Sequence, residues 1–294
     1  MNKWLMLLTA ILLSSVCNGK VIHKEQSLYR NIMVTESNKK RCMGFSFRKQ
    51  DSQNQSCKLV YRPDYLVFDY AKISAASILA VEEPKNILIL GLGGGSLVEA
   101  FHELAPQATI TSVEIDEAVI KVAKNYFDLP EADWHKVFAV DGRIFVKREK
   151  LKKAQYDIII LDAFNGDYIP AHMMTVEFLR EVKSILSPNG LAIANTFSTS
   201  KLKKYESATY AKAFGKFYQF KGRHSGNRVI WAGNTDLPTP EKMKEKIPTF
   251  KVQFFKLGID PDYIFDILET EVEINDPTKI LTDDYAPVNI LNEK

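Results

Sequence analysis

Histidine is scarce in this chain, five residues among 294. His23, His102, His135, His172 and His224 stand at no metal-ligand spacing from one another or from a cysteine. A metal centre therefore has no support, and no metal is expected. Charge of one sign is not in excess either. The formal net charge of +3 is too mild to mark a nucleic-acid groove, so no nucleic-acid partner is expected. No serine lies in a nucleophile elbow, and there is no internal repeat or low-complexity tract. The 46% apolar and 26% charged residues are near the globular average, which excludes a disordered, collagenous or coiled-coil chain. The length admits one large domain or two small ones.

Long hydrophobic runs are also rare. The one candidate, Trp4 to Val16, follows Lys3 and precedes the small and polar Cys17, Asn18 and Gly19. It falls short of the roughly 20 residues that span a bilayer, so no stable membrane span is expected. Its layout is that of a secretory signal peptide over residues 1–19. The expected location is outside the cytoplasm, periplasmic or secreted, with a membrane-anchored chain as the alternative. Bulky Val16 argues against lipid modification of Cys17. Of three cysteines, Cys42 and Cys57 would remain after cleavage. An even pair in an exported chain suggests a disulfide. It would close a loop of about 15 residues and contribute about 3 kcal/mol on the chain-entropy model. The alternative is two unpaired, half-buried thiols.

Residues 20–80 have strand-like composition and read as a small antiparallel β cap. Strands are expected at Tyr29 to Val34, Arg41 to Phe47, Lys58 to Tyr61 and Tyr65 to Tyr70, with a polar turn between the second and third. From residue 81 to about 235 the rhythm changes. Asn86 to Leu90 is a continuous apolar run, as expected of a strand buried on both faces. Strands at Thr109 to Glu114, Lys136 to Val140, Tyr156 to Asp162 and Leu191 to Thr196 alternate with helical stretches. Ser187-Pro188-Asn189-Gly190 reads as the turn before the last of them. This alternation argues an α/β fold, a mostly parallel doubly wound sheet with helices on both faces. Lys216 to Phe220 and Asn227 to Ala232 read as a strand pair at one sheet edge. Residues 236–294 read as a helical and loop extension. The basic run Lys147 to Lys153 reads as a solvated helix face.

Chemistry-bearing residues gather at strand ends. Gly91, Gly93, Gly94 and Gly95 follow the first buried strand and open a helix. Glycine there lets the backbone turn sharply and a ligand approach, and the helix start offers free N–H groups. Glu114 ends the second strand, where a carboxylate can accept from both ribose hydroxyls of a nucleotide. Asp116 reads as a helix cap. Asp141 and Gly142 end the third strand, where the carboxylate can accept from an adenine amino group or serve only as a turn residue. Asp162 ends the fourth, at the edge where open α/β sheets bind ligands. Asp162 and Asp167 could bind an ammonium group or take its proton, or could merely anchor their loop.

ILILGLGGGS, TSVEID, AVDGR, YDIIILDAF and LSPNG occur in the order and spacing of the spermidine synthase (polyamine aminopropyltransferase) family, and this stretch resembles its catalytic domain. Ser27 to Ile32 resembles the family's N-terminal strands. DAFNGDYIP and the tail Leu281 to Val288 resemble a spermidine-synthase-like branch. The resemblance implies a methyltransferase-like Rossmann fold, a possible homodimer, and decarboxylated S-adenosylmethionine as co-substrate with a polyamine acceptor. It would place the glycine turn and Glu114 against the nucleotide, Asp141 and Gly142 against adenine, and Asp162 and Asp167 at the chemistry. The amine would lie against Tyr70, Asn165 and Tyr168. Three positions depart from the family pattern. Gly94 and Asn165 stand where the family has aspartates, and Ala71 and Lys72 follow Tyr70 where it has an acidic residue. These losses weaken a polyamine pocket, because a dication needs carboxylates to offset its desolvation, and they favour intact S-adenosylmethionine at least equally. An S-adenosylmethionine-dependent methyltransferase is therefore the alternative. A non-catalytic nucleotide or polyamine binder is another, since adenosyl nucleotide is scarce outside the cytoplasm. A nicotinamide dehydrogenase fits less well, because Ser96 stands where its fingerprint wants Gly or Ala.

Overall fold

The computed structural model describes residues 19–47, 54–164, 169–197, 201–222 and 226–291. The expected signal segment, except Gly19, lies outside the described residues. Strands β1 (Lys20–Gln26), β2 (Asn31–Glu36), β3 (Lys40–Gly44) and β4 (Asn54–Leu59) form an antiparallel sheet in sequential order. Ile32, Val34 and Met43 face inward from it. Cys42 and Cys57 are direct partners across β3 and β4, and their sulfurs are bonded.

The β pattern expected over Tyr65 to Tyr70 is not realised. Helix α1 (Asp69–Ala76) starts there instead. Pro63 cannot donate to a ladder, and Asp69-Tyr70-Ala71-Lys72-Ile73-Ser74-Ala75-Ala76 is dominated by helix formers and small residues. Ala71, Ile73, Ala75 and Ala76 bury against the large sheet.

That sheet contains β5 (Asn86–Leu90), β6 (Thr109–Glu114), β7 (His135–Ala139), β8 (Tyr156–Leu161) and β9 (Leu186–Phe197), all parallel. Antiparallel β10 (Tyr218–Lys221), β11 (Asn227–Gly233) and β12 (Leu268–Glu269) complete it, in the order β12-β10-β11-β9-β8-β5-β6-β7. Helices α2 (Ser96–Leu104), α3 (Glu117–Tyr126), α4 (Gly142–Leu151), α5 (Val176–Ser184) and α6 (Leu202–Phe214) connect the strands. Residues 187–190, expected as a turn, bulge from an irregular β9. Tyr156 pairs with Leu186 but Ile158 with Leu191, so the extra residues have no partner on β8.

Strand alternation divides the interior. Ile87 and Ile89 face one core with α1 and α2, whereas Leu88 and Leu90 face the other with α5. The chain runs outward from β5 through β6 and β7, then returns to β8 on the other side of β5. The topological switch point of the sheet therefore lies where β5 and β8 end, the edge at which open α/β sheets bind ligands. After short helices α7 (Pro240–Lys244), α8 (Lys251–Leu257) and α9 (Pro261–Asp266), the tail returns as a strap. The Val176 N–H donates to the Leu281 carbonyl at 2.8 Å, and Arg143 grips Asp283 through two 2.7 Å bonds. The last helix is α10 (Val288–Leu291). Among the described residues no helix is long and apolar enough to cross a membrane.

Candidate active site

The glycine turn begins where β5 ends. Gly91 has φ +97°, and its N–H donates to the Val113 carbonyl at 2.8 Å. A Cβ at this position would run into the Asp162 backbone, so only glycine lets the turn lie against the end of β8. Gly93 and Gly95 also have positive φ, and Gly95 caps α2. Gly94 lacks a side chain for a different reason. Its N–H donates to Ser56 Oγ of β4 at 3.0 Å, and a Cβ would approach that oxygen to 2.7 Å and the Phe127 ring to 2.9 Å. The site where a carboxylate would stand is filled by the small sheet and Phe127.

Glu114 is buried at the end of β6. Oε2 accepts from Leu92 N and Oε1 from Asp116 N, both at 3.2 Å. Burial raises its carboxyl above the usual range, opposed by the Arg30 charge and these two amides. The bonds tie the carboxylate to the glycine turn and leave its remaining lone pairs for a diol. Asp116 caps α3, accepting from Ala118 N at 3.0 Å. It also anchors the small sheet through Ser27 Oγ and, at 3.6 Å, Arg30 Nε.

At the tip of β7, Asp141 Oδ1 accepts from Ile144 N at 2.9 Å and caps α4. Its other oxygen lies 3.0 Å from His172 Nε2. The Val140 N–H donates to the Glu114 carbonyl at 3.0 Å, joining this tip to the neighbouring one.

Asp162 stands one residue past β8, its N–H donating to the Leu90 carbonyl at 2.8 Å. Asn195 Nδ2 donates to its Oδ1 at 2.8 Å, and the Tyr70 hydroxyl also bonds the carboxylate. Asn227 Nδ2 donates to Asn195 Oδ1 at 2.8 Å, which fixes the orientation of that amide. Burial pushes the Asp162 carboxyl up to about 7, against the bonds from Asn195 and Tyr70, and the Glu114 charge pushes the same way as burial. Burial, followed by the adjacent Asp162 charge, raises the Tyr70 hydroxyl well above its ordinary range. A carboxylate so placed can take a proton near neutral pH.

The glycine turn, Glu114, Asp162 and Tyr70 thus converge, with Asp141 beside them on the next strand tip. Asn165, Asp167 and Tyr168 lie outside the described residues. Sequence reasoning missed Asn195, whose signal was a polar residue closing the apolar run Leu191 to Ala194. It also missed His172 and Arg30. Arg30 stacks 4.3 Å from the Phe45 ring centre and donates from Nη1 to the Phe164 carbonyl at 3.2 Å, spanning the tips of β6 and β8. Among the described residues no cluster of His, Cys, Asp and Glu could hold a metal ion.

Comparison with known proteins finds relatives among aminopropyltransferases and methyltransferases. Residues 70–222 match the spermine/spermidine synthase domain. The chain is 39% identical to a polyamine aminopropyltransferase of Vibrio vulnificus, over 94% of this chain and 93% of that one. It superposes on a probable spermidine synthase from Corynebacterium glutamicum with TM-score 0.64 at 20% identity, covering 83% of this chain and 92% of that one. Human methyltransferase-like protein 13 in complex with SAH gives TM-score 0.57 at 24% identity, covering 63% and 91%. At those identities the two structures speak for the Rossmann-like fold alone. The family match over half the chain, joined to a relative similar along nearly its whole length, shows that this chain belongs to the spermine/spermidine synthase family of transferases.

Proposed function

We propose that this chain transfers an aminopropyl group from decarboxylated S-adenosylmethionine to a small-molecule amine. The observation that carries the reading is Asp162, a carboxyl raised to about 7 at the switch point where β5 and β8 end and bonded by Asn195 and Tyr70. Glu114 accepts from the ribose hydroxyls, the glycine turn lets the nucleotide approach the backbone, and Asp141 and Gly142 border the adenine. The amine nitrogen attacks the carbon beside the sulfonium. A C–N bond forms, the C–S bond breaks, and methylthioadenosine leaves as a neutral thioether. The ammonium proton passes to Asp162. The sulfonium needs no activation, so alignment and proton removal are the protein's main contributions. Product analysis with decarboxylated S-adenosylmethionine and putrescine tests this. Absence of methylthioadenosine release across a panel of amines overturns it.

One observation favours a second reading. Ser56 and Phe127 fill the space at Gly94, so no carboxylate there selects an aminopropyl ammonium or repels a methionine carboxylate. Intact S-adenosylmethionine then becomes an admissible ligand, and methyl transfer an admissible reaction. Calorimetric preference for the intact form supports this reading; preference for the decarboxylated form supports the first. We also propose that residues 1–19 are a cleaved export signal. The Cys42–Cys57 bond supports that reading, because disulfides persist in oxidising compartments. Sequencing the mature N-terminus tests it.

A further inference from the structure

β4 is the last strand of the small sheet, beside β3. It carries a hydrogen bond from the small sheet to the glycine turn and further anchors to the elements around it. Ser56, buried, accepts the Gly94 N–H at 3.0 Å. Lys58 donates to the Phe127 carbonyl at 3.2 Å and pairs with Asp128 at 3.0 Å and with Glu99 of α2 at 3.4 Å. Cys57 lies between these two residues and is cross-linked to its direct partner Cys42. The β3–β4 ladder is irregular beside Ser56, where its register shifts between Met43 and Gly44. The disulfide therefore adds a covalent link across the β3–β4 ladder at the residue next to Ser56.

We propose that Ser56 is a positioning residue for the glycine turn, and that the Cys42–Cys57 disulfide, by fixing the strand that carries it, makes nucleotide affinity depend on redox state. This rests on the reading of the turn as the nucleotide site. The Gly93–Gly94 peptide turns its N–H toward Ser56, so the hydroxyl fixes the plane of that link, midway between Leu92, which donates to Glu114, and the start of α2. Reduction by a small dithiol breaks the S–S bond. Two electrons and two protons convert Cys42 and Cys57 to thiols, and the dithiol closes to its own disulfide. β4 then opens more often, the Ser56 to Gly94 bond is lost in the open state, and the turn samples paths that do not fit the nucleotide.

Calorimetric titration with methylthioadenosine tests the proposal on four samples: the oxidised and dithiothreitol-reduced chain, and Ser56→Ala in both states. Thiol counting verifies redox state, and thermal melts verify folding. Reduction is expected to weaken binding about fivefold, the equivalent of one ordinary hydrogen bond. Ser56→Ala with its disulfide intact should weaken it similarly, and reduction of that variant should add little. An oxidised Ser56→Ala chain with unchanged affinity overturns the proposal without depending on whether the reduced chain stays folded. So does a folded, fully reduced chain that binds as before. If Ser56 acted only on stability, reduction would weaken the variant as much as the parent, and that result too overturns it. An oxidised parent chain that fails to bind methylthioadenosine overturns the nucleotide-site reading, and this proposal with it. Binding by the parent together with indifference to Ser56 and to dithiol overturns this proposal alone.

Discussion

Asn195, two residues before the end of β9, donates from its amide at 2.8 Å to the carboxylate of Asp162, one residue past the end of the adjacent parallel strand β8. The bond favours the charged form of Asp162, while burial disfavours it. Deprotonation near neutrality reflects that opposition.

Asp162→Asn should abolish turnover and leave nucleotide affinity within a few fold, because in the proposed site its side chain faces the amine while Glu114 takes the ribose. Joint loss of affinity and activity would give Asp162 another role. The same variant bears on stability. A carboxyl raised from 3.8 to about 7 on folding costs stability as pH rises from about 4 to 7, because the folded chain then holds a proton that the unfolded chain has released. Asp162→Asn should therefore melt higher than the parent at pH 8, with the gap closing toward pH 4.

In the proposed reaction Asp162 acts in its basic form, so the rate of turnover should rise with pH and level off above about 7. Asn195→Ala removes a bond that favours the carboxylate. The midpoint of the rising limb should move to higher pH in that variant. A profile unchanged by the substitution would separate the observed ionisation from Asp162.

Glu114→Ala should weaken nucleotide binding by about 1–3 kcal/mol, the cost of losing the charged hydrogen bonds to the ribose that the proposed site assigns to it. It also frees the Leu92 and Asp116 amides from their acceptor, so part of the effect is looser geometry in the turn. Calorimetry on a ribose-modified analogue checks this. The variant and the parent should differ less when the ligand lacks the 2′- and 3′-hydroxyls.

Asp283→Asn should release the C-terminal strap. Its carboxylate bonds Arg143 and Thr175 Oγ1, and the Arg143 bonds hold its carboxyl down to about 2. A depressed carboxyl contributes stability above its unfolded value near 4 and loses it as pH falls toward 2. Half-exposed Asp283 makes that contribution small. Faster cleavage of the tail by limited proteolysis at pH 7 is the sensitive readout, with the parent chain approaching the variant's rate only in acid.

The parallel sheet was legible because Ile87 to Leu90 and Ile158 to Leu161 are unbroken apolar runs of the kind that doubly buried strands require. Asp141 and Asp162 were legible because a carboxylate directly after an apolar run stands out, and Glu114 because it closes the next strand in the same alternation. The spacing of glycines showed the turn, but not that Ser56 would close on Gly94 from another sheet. Long-range contacts of this kind leave no local pattern. Strand β1, largely half-exposed, lacked the apolar contrast that marked the inner strands. Helix α1 was hidden by aromatic residues before it, which suggested strand, while its alanines pack on β9 and β11 for reasons set by the whole sheet.

The two cores on opposite sides of β5 give that strand a role as a ruler. Replacing one aliphatic residue by another within it disturbs a single face. Inserting or deleting one residue would exchange Ile87 and Ile89 with Leu88 and Leu90 and carry Gly91 away from the only place where its missing side chain is required. Natural variation at β5 should therefore be free in side-chain size within limits and strict in length.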